Sequence, residues 1–485
     1  MATFFTVKNG KIKGTSKKDK INWLGQRDWQ RPLTVKAGKG NDLINFAASY
    51  FNKNKLYGED GKDKILGGSK IDYIYGGAGN DTLLGNAGND QIHAGAGNDL
   101  IDGGKGDDKI WCDKGTNAVS GGNGNDTIWG KSGINAISGG NNNDVIYAGV
   151  AYDAIDGGKG NDVIYLKAGS KNYKSVQLKL GKYNVTLNEE FRTYVRGGKG
   201  NDKILDAQGG AVIYGDDGRD TITAISGNNT IYGGNSNDSI KGGSGNDYID
   251  GGVGNDTINA GNGNNTIFGG NSNDSIKSGS GNDSIYGGHG LDTINAGTGN
   301  NTVYGGLNSD SITCGSGDDH IYGDEGDDTI NAGAGNNTIY FSRGGNSDKI
   351  ISGGGNDTLV FLDDTLDTLS HKRSDDGKDL IIRGCDGSVH AILVDYYISE
   401  HSAKQLKLGD NTYNISQWLE GNATPLSAPR RPMMPTASAI VEEVAAWSNS
   451  NSGYADISAD IVGVDNTNTT TNLVSSFVNN QQYFG

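Results

Sequence analysis

The chain has 485 residues, only 34% of them hydrophobic, with 81 glycines and 5 prolines. An ordinary globular protein is roughly 45–50% apolar, so a thick conventional core is excluded, and this glycine content rules out a helical bundle while the proline content rules out collagen. A formal charge of −16 makes nucleic acid and anionic membrane surfaces poor partners and cations good ones.

The N-terminus, MATFFTVKNGKIKGTSKKDKINW, lacks the apolar stretch of a secretory signal peptide, and no run of 18 apolar residues is present to span a membrane as a helix. Residues 1–53 contain Trp23, Trp29 and a degenerate repeat-like piece, Gly38-Lys39-Gly40-Asn41-Asp42. They are expected to cap a solenoid, whose ends need covering.

Residues 54–164 carry aspartates in a nine-residue register: Asp63, Asp72, Asp81, Asp90, Asp99, Asp108, Asp126, Asp144, Asp153 and Asp162, with Asn117 and Asn135 in the remaining places. Residues 165–196 lose the glycines and alternate in polarity, which predicts a hairpin or an inserted capping element. The register resumes over 197–358 with Asp202, Asp220, Asp238, Asp247, Asp256, Asp274, Asp283, Asp292, Asp310, Asp319 and Asp328, then Asp348 and Asp357. Here Asn229, Asn265, Asn301 and Asn337 fill gaps. Residues 359–422 read as several strands that close the array. Over 423–485, Pro425, Pro429, Pro432 and Pro435 mark a linker, followed by an amphipathic helix in ASAIVEEVAAW and a polar end.

Each unit has the form G-G-x-G-x-D-x-U-x, with U a large aliphatic residue. Glycines such as Gly242, Gly243 and Gly245 permit a tight turn, Asp247 offers a carboxylate, and Tyr248-Ile249-Asp250 forms a short strand whose middle residue alone points inward. Ile240, Ile249, Ile258, Ile267, Ile276 and Ile285 therefore stack into one thin core. These registered nonapeptides resemble the RTX family (repeats-in-toxin, haemolysin-type calcium-binding repeats) over about two thirds of the chain. The resemblance implies an all-β fold: a right-handed parallel β-roll (calcium-binding β-solenoid) in two blocks, with a β capping region and a short helical or disordered C-terminal tail.

The resemblance further implies calcium ions between successive loops on one edge. They are held by the aspartates named above and by backbone carbonyls of repeat glycines such as Gly77, Gly79, Gly243, Gly245, Gly252 and Gly254. The residues agree: carboxylates facing each other about 5 Å apart repel by roughly 1 kcal/mol even in a water-like dielectric, and a hard divalent cation with oxygen ligands removes that repulsion. Folding and calcium binding are then one event. The tail of 423–485 is similar to an uncleaved type I secretion signal, which implies export from a Gram-negative bacterium by that machinery and folding outside the cell.

One edge of the second block reads aspartate in every turn from Asp220 to Asp328, and the other alternates Asn229, Asp247, Asn265, Asp283, Asn301, Asp319 and Asn337. The all-aspartate edge is expected to bind ions more tightly. Tyr232, Asp250, Phe268, Tyr286, Tyr304, Tyr322 and Tyr340 form an outward column at eighteen-residue spacing, which stabilises the sheet by stacking or serves a glycan or cell-surface partner. Cys112, Cys314 and Cys385 show no zinc or disulfide spacing. The chain has no H-E-x-x-H or G-x-S-x-G, and its six histidines are scattered. The reading is therefore a non-enzymatic calcium-binding protein with a structural, adhesin-like or ion-responsive role. The alternatives are an RTX module of a toxin or secreted enzyme and a polysaccharide-binding surface protein.

Overall fold

The computed structural model describes residues 10–23, 32–50, 53–149, 153–166, 193–206, 209–341, 347–362, 364–384, 387–398 and 403–421, with the backbone of 176–180 and 183–187. The expected linker, helix and secretion signal of 423–485 lie outside these residues, as do Trp29, Cys385 and His401. The chain divides into two compact units, Met1–Thr221 and Ile222–Val441.

In the first unit the chain winds as a right-handed parallel roll whose successive strands fall alternately into two facing sheets. One sheet runs through Lys11–Lys13, Thr34–Lys39, Asn54–Asp60, Asp72–Ala78 and Gln91–Ala96, and the other through Lys20–Asn22, Leu43–Asn45, Lys64–Leu66, Thr82–Leu84 and Leu100–Lys105. Every neighbour pairs in parallel register, as in Leu100↔Ala118 and Ala118↔Ala136. The early residues belong to this coil: Lys11 pairs with Thr34 and Lys20 with Leu43, so the degenerate repeats form turns of irregular length.

Many strands are also longer than the three residues expected. Tyr248–Val253, for example, carries its pairing through the glycine pair, Gly234↔Gly252↔Gly270, because residues without side chains let the next turn's backbone lie directly on theirs. Between Val163–Leu166 and Thr193–Lys199 the ladder does not stop, since Ala154 pairs with Tyr194 and Val163 with Lys203. The intervening strands Val176–Leu180 and Tyr183–Leu187 pair antiparallel with each other, as a hairpin carried on the coil.

The second unit repeats the roll from Thr230 to Phe361 with an eighteen-residue register, Thr266↔Ser284↔Thr302 on one sheet and Thr257↔Ser275↔Thr293 on the other, lengthened to twenty in the last turn, as in Thr338↔Thr358. Its far end changes pattern. Ser370–Arg373, Leu380–Arg383 and Val389–Leu393 run antiparallel, the last joining Asp348–Ser352, while Gln405–Leu408 covers Thr358–Phe361 and pairs antiparallel with Asn411–Asn414. This arrangement covers sheet edges that would otherwise offer unpaired backbone groups. The closing region is not wholly β: Ile415–Leu419 is a short helix capped by Asn414, burying Ile415 and Trp418.

The core is one aliphatic residue wide. Ile249, Ile267, Ile285, Val303, Ile321 and Ile339 from one sheet face Ile258, Ile276, Ile294, Ile312 and Ile330 from the other, all essentially inaccessible to solvent. Burying each such side chain contributes about 1.5–3 kcal/mol, so the roll is stabilised by many equal small steps.

Candidate metal sites

Each repeat aspartate closes a loop at an edge of the roll, where its strand begins, and its carboxylate turns inward. Asp274 is representative. Its Oδ1 accepts the backbone N–H of Asp256 at 2.7 Å, and its own N–H donates to Oδ1 of Asp292 at 2.7 Å. The same link joins Asp292 to Asp310, Asp310 to Asp328, and Asp328 to Asp348. In the first unit it runs from Asp72 through Asp90, Asp108, Asp126, Asp144 and Asp162 to Asp202 and Asp220, and on the opposite edge through Asp63, Asp81 and Asp99.

The second oxygen has a different fate. Oδ2 of Asp63, Asp81, Asp90, Asp99, Asp108, Asp126, Asp144, Asp162 and Asp202 is buried with no hydrogen-bond partner among the described residues. So is that of Asp247, Asp256, Asp274, Asp292, Asp310, Asp319 and Asp328. A buried charged oxygen without a donor is costly, and a series of them implies a ligand or a proton. In most repeats a first-position glycine makes room for this oxygen. A Cβ on Gly269 would fall 2.6 Å from Asp274 Oδ2 and 2.5 Å from the carbonyl oxygen of Gly287, so carboxylate and carbonyl converge on one small space. Calcium–oxygen bonds run about 2.3–2.6 Å, and the ion takes six to eight oxygens. Among the described residues no three His, Cys, Asp or Glu side chains gather as a ready-made site, so an ion here must draw most of its ligands from the main chain.

The main chain offers them. Gly95 sits so closely on the carbonyl of Gly77 that a Cβ would lie 2.0 Å from that oxygen, and Gly97 stands likewise over Gly79, Gly261 over Gly243, Gly263 over Gly245 and Gly270 over Gly252. These carbonyls therefore point along the roll into the next loop. Gly270 also has φ +115°, a backbone region closed to most side chains. Gly254 sits against Ser236 in the same manner, a Cβ there meeting the Ser236 carbonyl at 2.3 Å.

Desolvation dominates the electrostatics. Burial pushes Asp90 and Asp144 up to about 9, against opposing backbone hydrogen bonds and with neighbouring carboxylates adding to the rise. Asp108, Asp202 and Asp310 rise to about 8, and Asp63, Asp126, Asp162, Asp274 and Asp348 to about 7, again chiefly through burial. The ladders thus resist carrying their full charge unless a cation compensates it.

Four expected residues have a partner for the second oxygen. Asp72 and Asp153 accept backbone N–H groups of Gly68 and Gly149, each at 2.6 Å, and Asp283 and Asp357 accept the hydroxyls of Ser278 and Ser352. Asp220 and Asp238 are buried in the same loop position. Two further aspartates escaped the nine-residue register. The N–H of Asp19 donates to Oδ1 of Asp42, and that of Asp42 to Oδ1 of Asp63, in turns lengthened beyond eighteen residues, and Oδ2 of Asp42 is another partnerless oxygen. The motif Gly38-Lys39-Gly40-Asn41-Asp42-Leu43-Ile44 was the available signal.

The aromatic column of the second unit stacks at 4.7 Å from Phe268 to Tyr286 and 4.2 Å from Tyr322 to Tyr340, and Tyr248 fills the place that Asp250 leaves vacant. The first unit carries another column, unnoticed in the sequence: Tyr57, Tyr75, His93, Trp111, Trp129, Tyr147 and Tyr165. Cys112 and Cys314 are buried at the first position of their repeats, where burial pushes both thiols up.

The family model of the RTX calcium-binding nonapeptide repeat matches residues 57–92, 84–119, 120–153, 138–170, 207–240, 223–258, 250–285, 259–303, 286–316, 304–339 and 313–347, more than half of the chain. No curated protein matches. Among solved structures the chain is similar to a hyperactive, Ca2+-dependent, β-helical antifreeze protein from an Antarctic bacterium. The identity is 16% and the TM-score 0.19, covering 86% of this chain and 96% of that one. With its nonapeptides wound into parallel rolls and its buried aspartates laddered along the edges, the chain belongs to the RTX calcium-binding nonapeptide repeat family and binds multiple calcium ions.

Proposed function

We propose that this is a secreted calcium-binding protein that folds as calcium fills its loop edges outside the cell, in a structural, adhesin-like or ion-responsive role rather than an enzymatic one. The observation that carries the reading is the series of buried aspartate Oδ2 atoms with no donor among the described residues, most of them beside main-chain carbonyls. The ions would lie between successive loops, held by aspartates such as Asp256, Asp274 and Asp292 and by glycine carbonyls such as those of Gly243 and Gly245. Affinities of about 10⁻⁴–10⁻³ M, those of extracellular modules, suffice for a chain exported from a low-calcium cytoplasm.

Glycan stacking receives less support. Rings 4.2–4.9 Å apart and within 13° of parallel, from Phe268 to Tyr340, use their faces on each other and leave edges to solvent. The export part of the reading is tested in a strain carrying a type I secretion apparatus. The full chain should reach the medium and a chain truncated after residue 422 should remain inside; equal export of both would contradict it.

A further inference from the structure

One edge of the second unit is built on a two-turn period. Asn229, Asn265, Asn301 and Asn337 occupy alternate aspartate places, and each is preceded five residues earlier by an alanine: Ala224, Ala260, Ala296 and Ala332. The aspartates between them, Asp247, Asp283, Asp319 and Asp357, are preceded at the same distance by Gly242, Ser278, Cys314 and Ser352. The opposite edge has glycine there from Asp238 to Asp328, as at Gly251, Gly269 and Gly287.

The asparagine amides are held in place by both neighbouring loops. The N–H of Asp283 donates to Oδ1 of Asn301 at 3.0 Å, which fixes the amide so that Nδ2 faces the other way. That nitrogen donates to the carbonyl of Gly299 in its own loop at 3.0 Å and to Oδ1 of Asp319 in the next loop at 2.9 Å. Asn229 makes the same bridge to Gly227 at 3.0 Å and Asp247 at 2.9 Å. Asn265 reaches Gly263 at 3.0 Å, and Asn337 reaches Asp357 at 2.9 Å. In the aspartate loops no donor among the described residues reaches the equivalent carbonyls of Gly245 and Gly281.

An amide nitrogen bonded to a loop carbonyl and to the next loop's carboxylate ties together the two kinds of oxygen that a bridging cation would gather in that gap. We infer that on this edge calcium is excluded from every gap that follows an asparagine loop, the side-chain amide standing in its place. The edge takes at most one ion for every two turns, while the all-aspartate edge takes one for each. The inference rests on the calcium reading above and goes beyond a gradation of affinity, since the asparagine gaps need no ion at all.

Counting bound calcium on the full chain by native mass spectrometry at saturating calcium tests it. Ala296→Gly combined with Asn301→Asp restores the pairing found at Gly287 and Asp292, and should add at least one ion per chain relative to the unmodified protein. An unchanged count overturns the inference. Should that variant fail to fold, Asp274→Asn on the other edge should remove at least one ion, and a count that stays the same overturns the edge assignment. An unmodified chain that binds no calcium would instead sink the calcium reading itself.

Discussion

The backbone N–H of Asp256 donates to Oδ1 of Asp274 at 2.7 Å, while Oδ2 of Asp274 is buried without a donor. One oxygen thus ties consecutive turns together and the other awaits a positive partner. Much of the protein's behaviour follows from this division.

A proton can serve as that partner. Burial raises Asp256 to about 6, Asp274 to about 7, Asp310 to about 8 and Asp90 to about 9, whereas in the unfolded chain these groups titrate in the ordinary carboxylate range. Because the folded values are the higher ones, the calcium-free roll is most stable below about pH 4, and it loses stability progressively as pH rises towards 9. Circular dichroism in chelator should therefore show more β structure at pH 4.5 than at pH 8. With calcium present the trend should reverse below about pH 6, as protons displace ions. A chelated protein equally folded at both values would contradict this.

Gly269→Ala places a methyl 2.5 Å from the Gly287 carbonyl and 2.6 Å from Asp274 Oδ2. Neither neighbour can retreat without breaking a ladder. The expected cost is about 1–3 kcal/mol of folding stability with calcium present. Chemical denaturation at saturating calcium measures it; a change below about 0.5 kcal/mol would show that the loop relaxes freely.

The fold and most of the candidate sites were legible because one residue type recurs at one interval. Glycine, aspartate and isoleucine each have a single physical task in the nonapeptide, so the register alone identified Ile249 as core and Asp247 as the acid of its loop. What escaped lies where spacing varies. Asp19 and Asp42 join the ladder through turns longer than eighteen residues, and the first-unit aromatic column was hidden because His93 interrupts a run of tyrosine and tryptophan. The use of the two carboxylate oxygens for different purposes leaves no trace in sequence, since it depends on the close approach of Gly269 and Gly287.

Ile267 has no accessible surface and sits between Ile249 and Ile285 in the stack. Ile267→Ala should lower stability by about 2–5 kcal/mol in chemical denaturation with calcium present. A change below 0.5 kcal/mol, as a rough bound for surface positions, would mean that the thin core is not the stabilising element.

Tyr304 stacks on Tyr286 at 4.9 Å and Tyr322 at 4.5 Å, so Tyr304→Ser removes two ring contacts worth about 0.5–1.5 kcal/mol each. The calcium-loaded roll should melt several degrees lower while binding the same number of ions. Lost ions would mean that the column reaches the loops.

The most direct test is far-UV circular dichroism of the full chain at neutral pH during a calcium titration, with magnesium as control. A cooperative coil-to-β transition driven by calcium and not by magnesium is the expected result. A chain already β-rich in chelator at that pH, or indifferent to calcium, would mean that the aspartate ladders do not depend on the ion.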